Sequence, residues 1–364
     1  MVASLTLHVS LPCSGASQLQ GILSRGRAAL REQGIWYPGE GCLPRDGLNQ
    51  QAIGDARDQA VRHAETTRAE IAGHPGHVIV SADSLAHLDA TGVEEVLALL
   101  GARPDTVRVV ITALDLGRLL PALWTNTVEN GFTTHFEPYL MAAVDRRRDD
   151  GEPWRTALDL PALVSRWQAA VGADRVTLVP VPPETTGPGL LWTRFAEAAG
   201  LEPRPPAPLP FGRATDDGTR LSAGQAQMLR ALNSVMLGLP SPTQRELRER
   251  VLAAWGASGA SGTSGESSGP RLVLPDSFRG TVREWAAEDI TRLRAIHARL
   301  CGRITDLDPV FGPSTGPVAE PVRDTLARDV LALLTPVGGE AATLDARVPR
   351  ARARPAEQAS RSRW

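Results

Sequence analysis

The chain has 364 residues, is 42% hydrophobic and carries a formal net charge of −2, because 39 basic residues nearly balance 41 acidic ones. This composition supports a large buried core and excludes a wholly disordered chain. The charge balance predicts neither a nucleic-acid partner nor a membrane partner. The sequence has no window of about 18 uninterrupted apolar residues, so no membrane span is predicted. Three widely spaced cysteines are typical of a reducing compartment, so we expect a cytoplasmic protein.

Strand and helix patterns alternate along the first half of the chain. An apolar run at residues 5–9 predicts a strand, which enters a loop of small residues and then a helix over 18–33. Further strands are predicted at 78–81, 107–112 and 176–181. Helices are predicted over 93–100, 116–130 (capped by Asp115 and interrupted near Pro121), 158–171, 190–199, 221–237 and beyond Pro275. This alternation predicts an α/β fold with a parallel sheet flanked by helices.

Changes in composition divide the chain into five segments. We expect an α/β core over 1–202, a Pro-rich connector with helices over 203–255, a low-complexity Gly/Ala/Ser/Thr loop over 256–270, a helical segment over 271–335 that packs on the core, and a disordered Arg-rich tail over 336–364.

The loop after the first predicted strand has the layout of an anion-binding site. It consists of Pro12, Cys13, Ser14, Gly15, Ala16 and Ser17. Small side chains let backbone N–H groups approach a ligand oxygen, and the following helix directs its positive dipole end to the same place. Ser14 and Ser17 add hydroxyl donors. The alternative is an ordinary strand-to-helix turn.

Two residues near the carboxyl edge of the predicted sheet are candidate proton acceptors. His8 lies on the first strand, and an imidazole titrates near neutral pH. Asp83 directly follows the second strand and is a second candidate. The alternatives are a core histidine for His8 and a helix or turn cap for Asp83.

Other catalytic patterns are weak. Cys13 at a helix start has the position of a nucleophile, but the arginine that cysteine phosphatases carry six residues later is replaced by Leu19, so an inert small residue is favoured. His74 and His77 stand in a loop without a neighbouring Cys or carboxylate cluster, so no metal site is predicted.

The segments 7–23 (LHVSLPCSGASQLQGIL), 109–126 (VVITALDLGRLLPALWTN) and 175–183 (RVTLVPVPP) resemble bacterial sulfotransferase-like proteins of the P-loop superfamily. The resemblance covers most of residues 1–310. It implies a P-loop type of fold and transfer of a sulfuryl group from 3′-phosphoadenosine 5′-phosphosulfate (PAPS) to a hydroxyl of a small molecule or carbohydrate. It also implies that residues 12–17 hold the 5′-phosphosulfate, with His8 or Asp83 as the base.

The residues of the phosphate sites depart from the family pattern. Cys13 replaces the loop lysine, and Leu114 and Ala122 stand where the family has the arginine and serine that hold the 3′-phosphate. All 39 basic residues are arginines, so no lysine can compensate. Loss of three donors costs on the order of 4–8 kcal/mol in donor binding. Arg118, one turn beyond Leu114, can substitute, or it can be an exposed helix arginine.

Two functions therefore follow from the sequence. The first is sulfuryl transfer from PAPS, and the second is a non-catalytic sulfotransferase homologue that binds another ligand or a protein partner. A different phosphoryl-transfer enzyme is disfavoured, because both a loop lysine and a Mg²⁺-binding pattern are lacking.

Overall fold

The computed structural model describes residues 4–38, 76–147, 158–183, 189–205, 221–260 and 270–313, together with some positions between 61 and 74. Six strands in this part of the chain form one parallel sheet: β1 Ser4–Ser10, β2 Ile35–Trp36, β3 His77–Ala82, β4 Val107–Ala113, β5 Val176–Pro180 and β6 Arg299–Leu300. Their order across the sheet is β2-β3-β1-β4-β5-β6. The predicted α/β class with a parallel sheet is confirmed.

Helices pack on the sheet. They are α1 Ala16–Arg25, α2 Arg27–Glu32, α3 Ala90–Leu99, α4 Leu116–Glu129, α5 Phe136–Arg147, α6 Leu160–Val171, α7 Leu190–Ala199, α8 Ala223–Met236, α9 Ser241–Ala260 and α10 Asp276–Ala295. Short 3₁₀ helices cover Asp83–His87, Pro104–Thr106, Ala173–Arg175 and Ile304–Leu307. None of the described helices is long and apolar enough to cross a bilayer.

Some boundaries differ from the prediction. The helix predicted over 18–33 is divided into α1 and α2 at Gly26. In contrast, α4 runs without a break through Pro121, because its buried face, which includes Leu120 and Trp124, outweighs the loss of one backbone hydrogen bond. The helix α9 extends to Ala260, into the loop predicted over 256–270. The edge strands β2 and β6 have two residues each and are too short to leave a sequence pattern.

The C-terminal helix α10 is attached to the core by two ion pairs. Arg147 of α5 contacts Asp289 at 2.6 Å, and Arg292 contacts Asp159, the N-cap of α6, at 3.0 Å. The apolar face of α10, with Val282 and Leu293 buried, packs against α4 and α6. The tail predicted over 336–364 and residues 206–220 of the predicted connector lie outside the described residues.

The central strand β1 lies between β3 and β4. The chain leaves β1 to form β2 and β3 on one side, and then crosses to β4 on the other side. Such a reversal opens a crevice at the carboxyl ends of the strands, where open α/β sheets bind ligands. Residues 12–17 lie at this crevice because they directly follow β1.

His8 joins the three central strands. Its Nδ1 is 2.7 Å from the Ser81 hydroxyl on β3, and its Nε2 is 3.0 Å from the Thr112 hydroxyl on β4. The ring also meets Phe195 of α7 edge to face, with centroids 5.0 Å apart. His8 is fully buried, and this burial lowers the pKa of its imidazole to about 3. Both nitrogens are therefore used inside the sheet.

We expect His8 to make the fold acid-sensitive. Because its pKa is lowered from 6.5 to about 3, the unfolded state binds more protons in this interval, so stability is complete above pH 6.5 and is lost as the pH falls towards 3. His87, with a pKa lowered to about 4, acts in the same direction, whereas Asp83, with a pKa raised to about 7, acts oppositely.

Urea unfolding at several pH values isolates the contribution of His8. His8→Gln keeps a hydrogen-bonding side chain but does not titrate, so we expect a decline in stability between pH 6.5 and pH 4 that is shallower than in the unaltered protein by up to about 1.4 kcal/mol per pH unit. The same change at the exposed His135 serves as the control and should leave the slope unaltered. Equal slopes in all three proteins would contradict the role given to His8.

Candidate anion-binding site

The loop after β1 has the backbone of an anion cradle. Cys13 has a φ of 61° and Gly15 a φ of 81°, whereas Ser14 between them is not left-handed. Alternation of this kind makes a concave turn lined by backbone N–H groups. The helix α1 begins at Ala16, and no side chain caps its N-terminus.

A left-handed cysteine is unusual in this loop. A residue with a Cβ in this region of φ and ψ costs on the order of 1–3 kcal/mol, and such strain is concentrated at functional sites. Cys13 is half-buried and packs against the hydrophobic core. The position that resembles the family's lysine therefore contributes backbone shape and no charge.

The two predicted hydroxyl donors of the loop differ in their surroundings. Ser14 is fully buried, and its Oγ accepts a hydrogen bond from the Leu114 backbone N–H at 3.0 Å. The same hydroxyl points to the Pro12 carbonyl at 3.5 Å. Ser14 therefore ties the loop to the end of β4, and it is not directed to a ligand. Ser17, in the first turn of α1, is exposed.

Asp83 lies at the same edge of the sheet as the loop. In the parallel register, Val9 of β1 is opposite Ala82 of β3, so Asp83 follows one residue beyond this pair. Its Oδ1 is buried and has no hydrogen-bond partner. Burial raises the pKa of the Asp83 carboxyl to about 7. A carboxyl with one unpartnered oxygen and a pKa raised towards neutrality has the properties of a candidate proton acceptor or donor.

His87 is a candidate that the sequence analysis did not identify. It ends the 3₁₀ helix that Asp83 begins, and both of its ring nitrogens are buried without a hydrogen-bond partner. Burial, aided by the positive charge of Arg166, lowers the pKa of His87 to about 4. Arg166 of α6 also donates to the Ala86 carbonyl at 3.4 Å. A single histidine in the stretch DSLAH carries no motif that predicts this environment.

The start of α4 is organised by the Asp115 carboxylate. Its Oδ1 accepts hydrogen bonds from the backbone N–H groups of Gly117 at 3.0 Å, Arg118 at 3.2 Å and Val310 at 2.9 Å. Its Oδ2 accepts from the Arg118 guanidinium. The carboxylate is fully buried. The predicted role of Asp115 as the cap of α4 is confirmed. Its carboxylate also binds the backbone of Val310, which follows the last of the described 3₁₀ helices.

Arg118 does not have the surroundings expected of a phosphate ligand. In addition to its ion pair with Asp115, it donates through Nη1 to the Pro182 carbonyl at 3.0 Å and through Nη2 to the Val181 carbonyl at 2.9 Å. Its side chain is only 11% exposed, so the exposed-arginine alternative is not observed either. Arg118 links α4 to the end of β5.

The positions that correspond to the family's other donors are apolar and buried. Leu114 and Ala122 are each 2% exposed. Leu114, Leu11 and Asp115 line a cavity of about 20 Å³, which has room for about one water molecule. The cavity is also lined by Leu158, by Leu160 at the start of α6, and by Ala286, Asp289 and Ile290 of α10.

Within the described ranges, no group of three or more His, Cys, Asp or Glu side chains is arranged to hold a metal ion. Comparison with protein-family models, with curated proteins and with solved structures gave no match.

We expect Asp115 to be important for stability. Asp115→Ala removes the α4 cap and leaves Arg118 without its carboxylate, so the free energy of unfolding should fall by about 3–5 kcal/mol in a urea titration. Asp105, which pairs with Arg103 at the surface and is 55% exposed, provides the matched control. Asp105→Ala should reduce the free energy of unfolding far less, because solvent screens this surface ion pair. Equal losses in the two variants would contradict the role given to Asp115.

Proposed function

We propose that the chain is a sulfotransferase-like protein that holds the sulfate or phosphate group of a small ligand on residues 12–17, without the side chains that transfer from PAPS requires. The uncapped N-terminus of α1 behind the left-handed loop carries the anion-binding part of this proposal. The Asp115 carboxylate at the start of α4 carries the exclusion of PAPS. The resemblance to sulfotransferase-like proteins puts the 3′-phosphate of PAPS after β4, and here a buried carboxylate lies in that region.

Three features support anion binding on residues 12–17. The loop follows the central strand at the crevice between β3 and β4. Cys13 and Gly15 have the left-handed backbone of a concave loop, and the Ser14 N–H between them donates to the Leu11 carbonyl at 3.1 Å. The N-terminus of α1 has no side-chain cap, so its positive dipole end is left for a ligand.

The size of the missing interactions argues against PAPS as the ligand. Charge-assisted hydrogen bonds contribute about 1.5–3 kcal/mol each, so replacement of lysine, arginine and serine by Cys13, Leu114 and Ala122 removes on the order of 4–8 kcal/mol. This corresponds to about three to six orders of magnitude in affinity. Arg118 does not offset the loss, because its guanidinium binds Asp115 and two carbonyl groups.

Sulfuryl transfer is the second candidate, and Asp83 is the observation that favours it. In such a step the acceptor oxygen attacks sulfur, the bond between sulfur and the donor's bridging oxygen breaks, and a base takes the acceptor proton. Asp83 has an unpartnered oxygen beside the loop and a pKa raised to about 7. His8 is unsuited to this role, because its two nitrogens are bound inside the sheet.

We expect a negative charge in the first turn of α1 to weaken anion binding without reducing the stability of the protein. Ser17→Glu places a carboxylate at the N-terminal end of the helix, which stabilises the helix by about 0.3–1 kcal/mol but repels a bound anion. Affinity for inorganic sulfate, measured by calorimetry, should fall by about tenfold or more, while the melting temperature should not decrease.

Thr91 offers the matched control for this experiment. It is exposed and occupies the second position of α3, as Ser17 does in α1. Thr91→Glu should have a similar effect on melting temperature and no effect on sulfate affinity. Absence of sulfate binding to the unaltered protein, or equal sulfate affinity in Ser17→Glu, would refute binding on residues 12–17.

A further inference from the structure

A chain of buried hydroxyl groups connects His8 to the residue before the loop 12–17. The Thr112 hydroxyl is 3.0 Å from His8 Nε2 and also 3.0 Å from the Ser10 hydroxyl. The Ser10 hydroxyl is 2.8 Å from the Leu11 carbonyl oxygen. His8, Ser10 and Thr112 are fully buried. Their hydrogen atoms are therefore shared among these groups and not with solvent.

The Leu11 carbonyl sets the direction of these hydrogen bonds. A carbonyl oxygen can only accept, so the single hydroxyl proton of Ser10 is donated to Leu11. The bond between Ser10 and Thr112 must then use the Thr112 proton. Because the Thr112 proton is already used, the bond between Thr112 and His8 must use a proton on Nε2. His8 therefore donates through Nε2.

The other half of the chain continues from His8 to helix α1. Burial lowers the pKa of His8 to about 3, so the ring is neutral at pH 7 and its Nδ1 has no proton. Nδ1 therefore accepts from the Ser81 hydroxyl at 2.7 Å, and the Ser81 oxygen accepts from the Gln20 amide nitrogen at 3.1 Å. Five hydrogen bonds thus run in one direction, from Gln20 to the Leu11 carbonyl.

The opposite direction has one hydrogen bond fewer. In the reversed arrangement each hydroxyl donates to its other neighbour, and the proton of His8 moves to Nδ1. Ser10 then donates to Thr112, so the Leu11 carbonyl loses this donor. Loss of one buried hydrogen bond disfavours the reversed arrangement by about two- to tenfold.

The two ends of this chain lie on either side of residues 12–17. Leu11 directly precedes the loop, and its carbonyl also accepts the Ser14 N–H at 3.1 Å. Gln20 is half-buried in α1, three residues after the loop. The chain therefore holds the strand before the loop and the helix after it in one arrangement.

From these contacts we infer that Gln20 is a positioning residue, whose amide donates to Ser81 and thereby holds His8 as the neutral tautomer with its proton on Nε2. Through the same chain, Gln20 fixes α1 and the start of the loop against the sheet. This role goes beyond the proposed function, because it does not depend on what residues 12–17 bind.

NMR on the full chain with ¹⁵N-labelled histidine tests the protonation of His8. Long-range correlation between ring protons and nitrogens distinguishes a nitrogen that carries a proton from one that does not. The chain has seven histidines, and the signals that disappear in His8→Gln belong to His8. At pH 7 we expect a proton on Nε2 and none on Nδ1. A proton on Nδ1, in the reversed tautomer or in an imidazolium, would overturn the inference.

Gln20→Glu tests the role of Gln20 by reversing the chain. A carboxylate accepts a hydrogen bond from Ser81 and cannot donate one, so a proton should appear on Nδ1 of His8. The same change at Gln33, which is exposed, is the control and should leave the His8 signals unaltered. If Nδ1 stays unprotonated in Gln20→Glu, Gln20 does not have this role.

Gln20→Leu provides a second measurement with an uncharged side chain. It removes the donor to Ser81 but adds no acceptor, so the Leu11 carbonyl still sets the direction and the proton should stay on Nε2 of His8. A proton on Nδ1 in this variant would show that the direction is not set at Leu11 and would overturn the inference.

Discussion

The Asp115 carboxylate joins three parts of the molecule that are far apart in sequence. It caps α4 directly after β4, it binds the Val310 N–H of the C-terminal segment, and through Arg118 it reaches the carbonyls at the end of β5. A buried carboxylate is tolerated only when its charge is balanced and its oxygens are hydrogen-bonded, and both conditions are met here. The carboxyl edge of the sheet is consequently closed by a buried carboxylate on the β4 side, whereas on the β1 side no side chain caps α1.

The two sides of the crevice therefore differ in their polar groups. On the β4 side, backbone N–H groups that could bind a ligand instead donate to Asp115 and Ser14. On the β1 side, the loop through Cys13 and Gly15 keeps a strained backbone, and α1 begins without a side-chain cap. Strain and uncapped donors reduce stability, and the proposed anion binding would account for both features.

The segment after β3 also contains groups whose burial reduces stability. Asp83 and His87 bury polar atoms that have no hydrogen-bond partner, and each such atom costs on the order of 1–3 kcal/mol. His8, in contrast, is buried with both nitrogens satisfied. The contrast separates a histidine that holds the sheet together from two ionisable residues that are buried without full hydrogen bonding.

Much of the architecture could be predicted because it depends on local patterns. The apolar runs of β1, β3, β4 and β5 were recognisable as buried parallel strands, and Asp115 as a helix cap, since periodicity and capping are properties of neighbouring residues. The short strands β2 and β6 could not be predicted, because two residues carry no period.

The sequence by itself determined the α/β class, the small-residue loop after the first strand and the lack of lysine in the chain. Only the tertiary structure decided which polar groups are available. His8 is bound by Ser81 and Thr112, and Arg118 by the Val181 and Pro182 carbonyls. Hydrogen bonds between residues far apart in the chain depend on how the strands and helices pack. Sequence spacing therefore identifies a candidate side chain but cannot establish whether the protein itself already uses it.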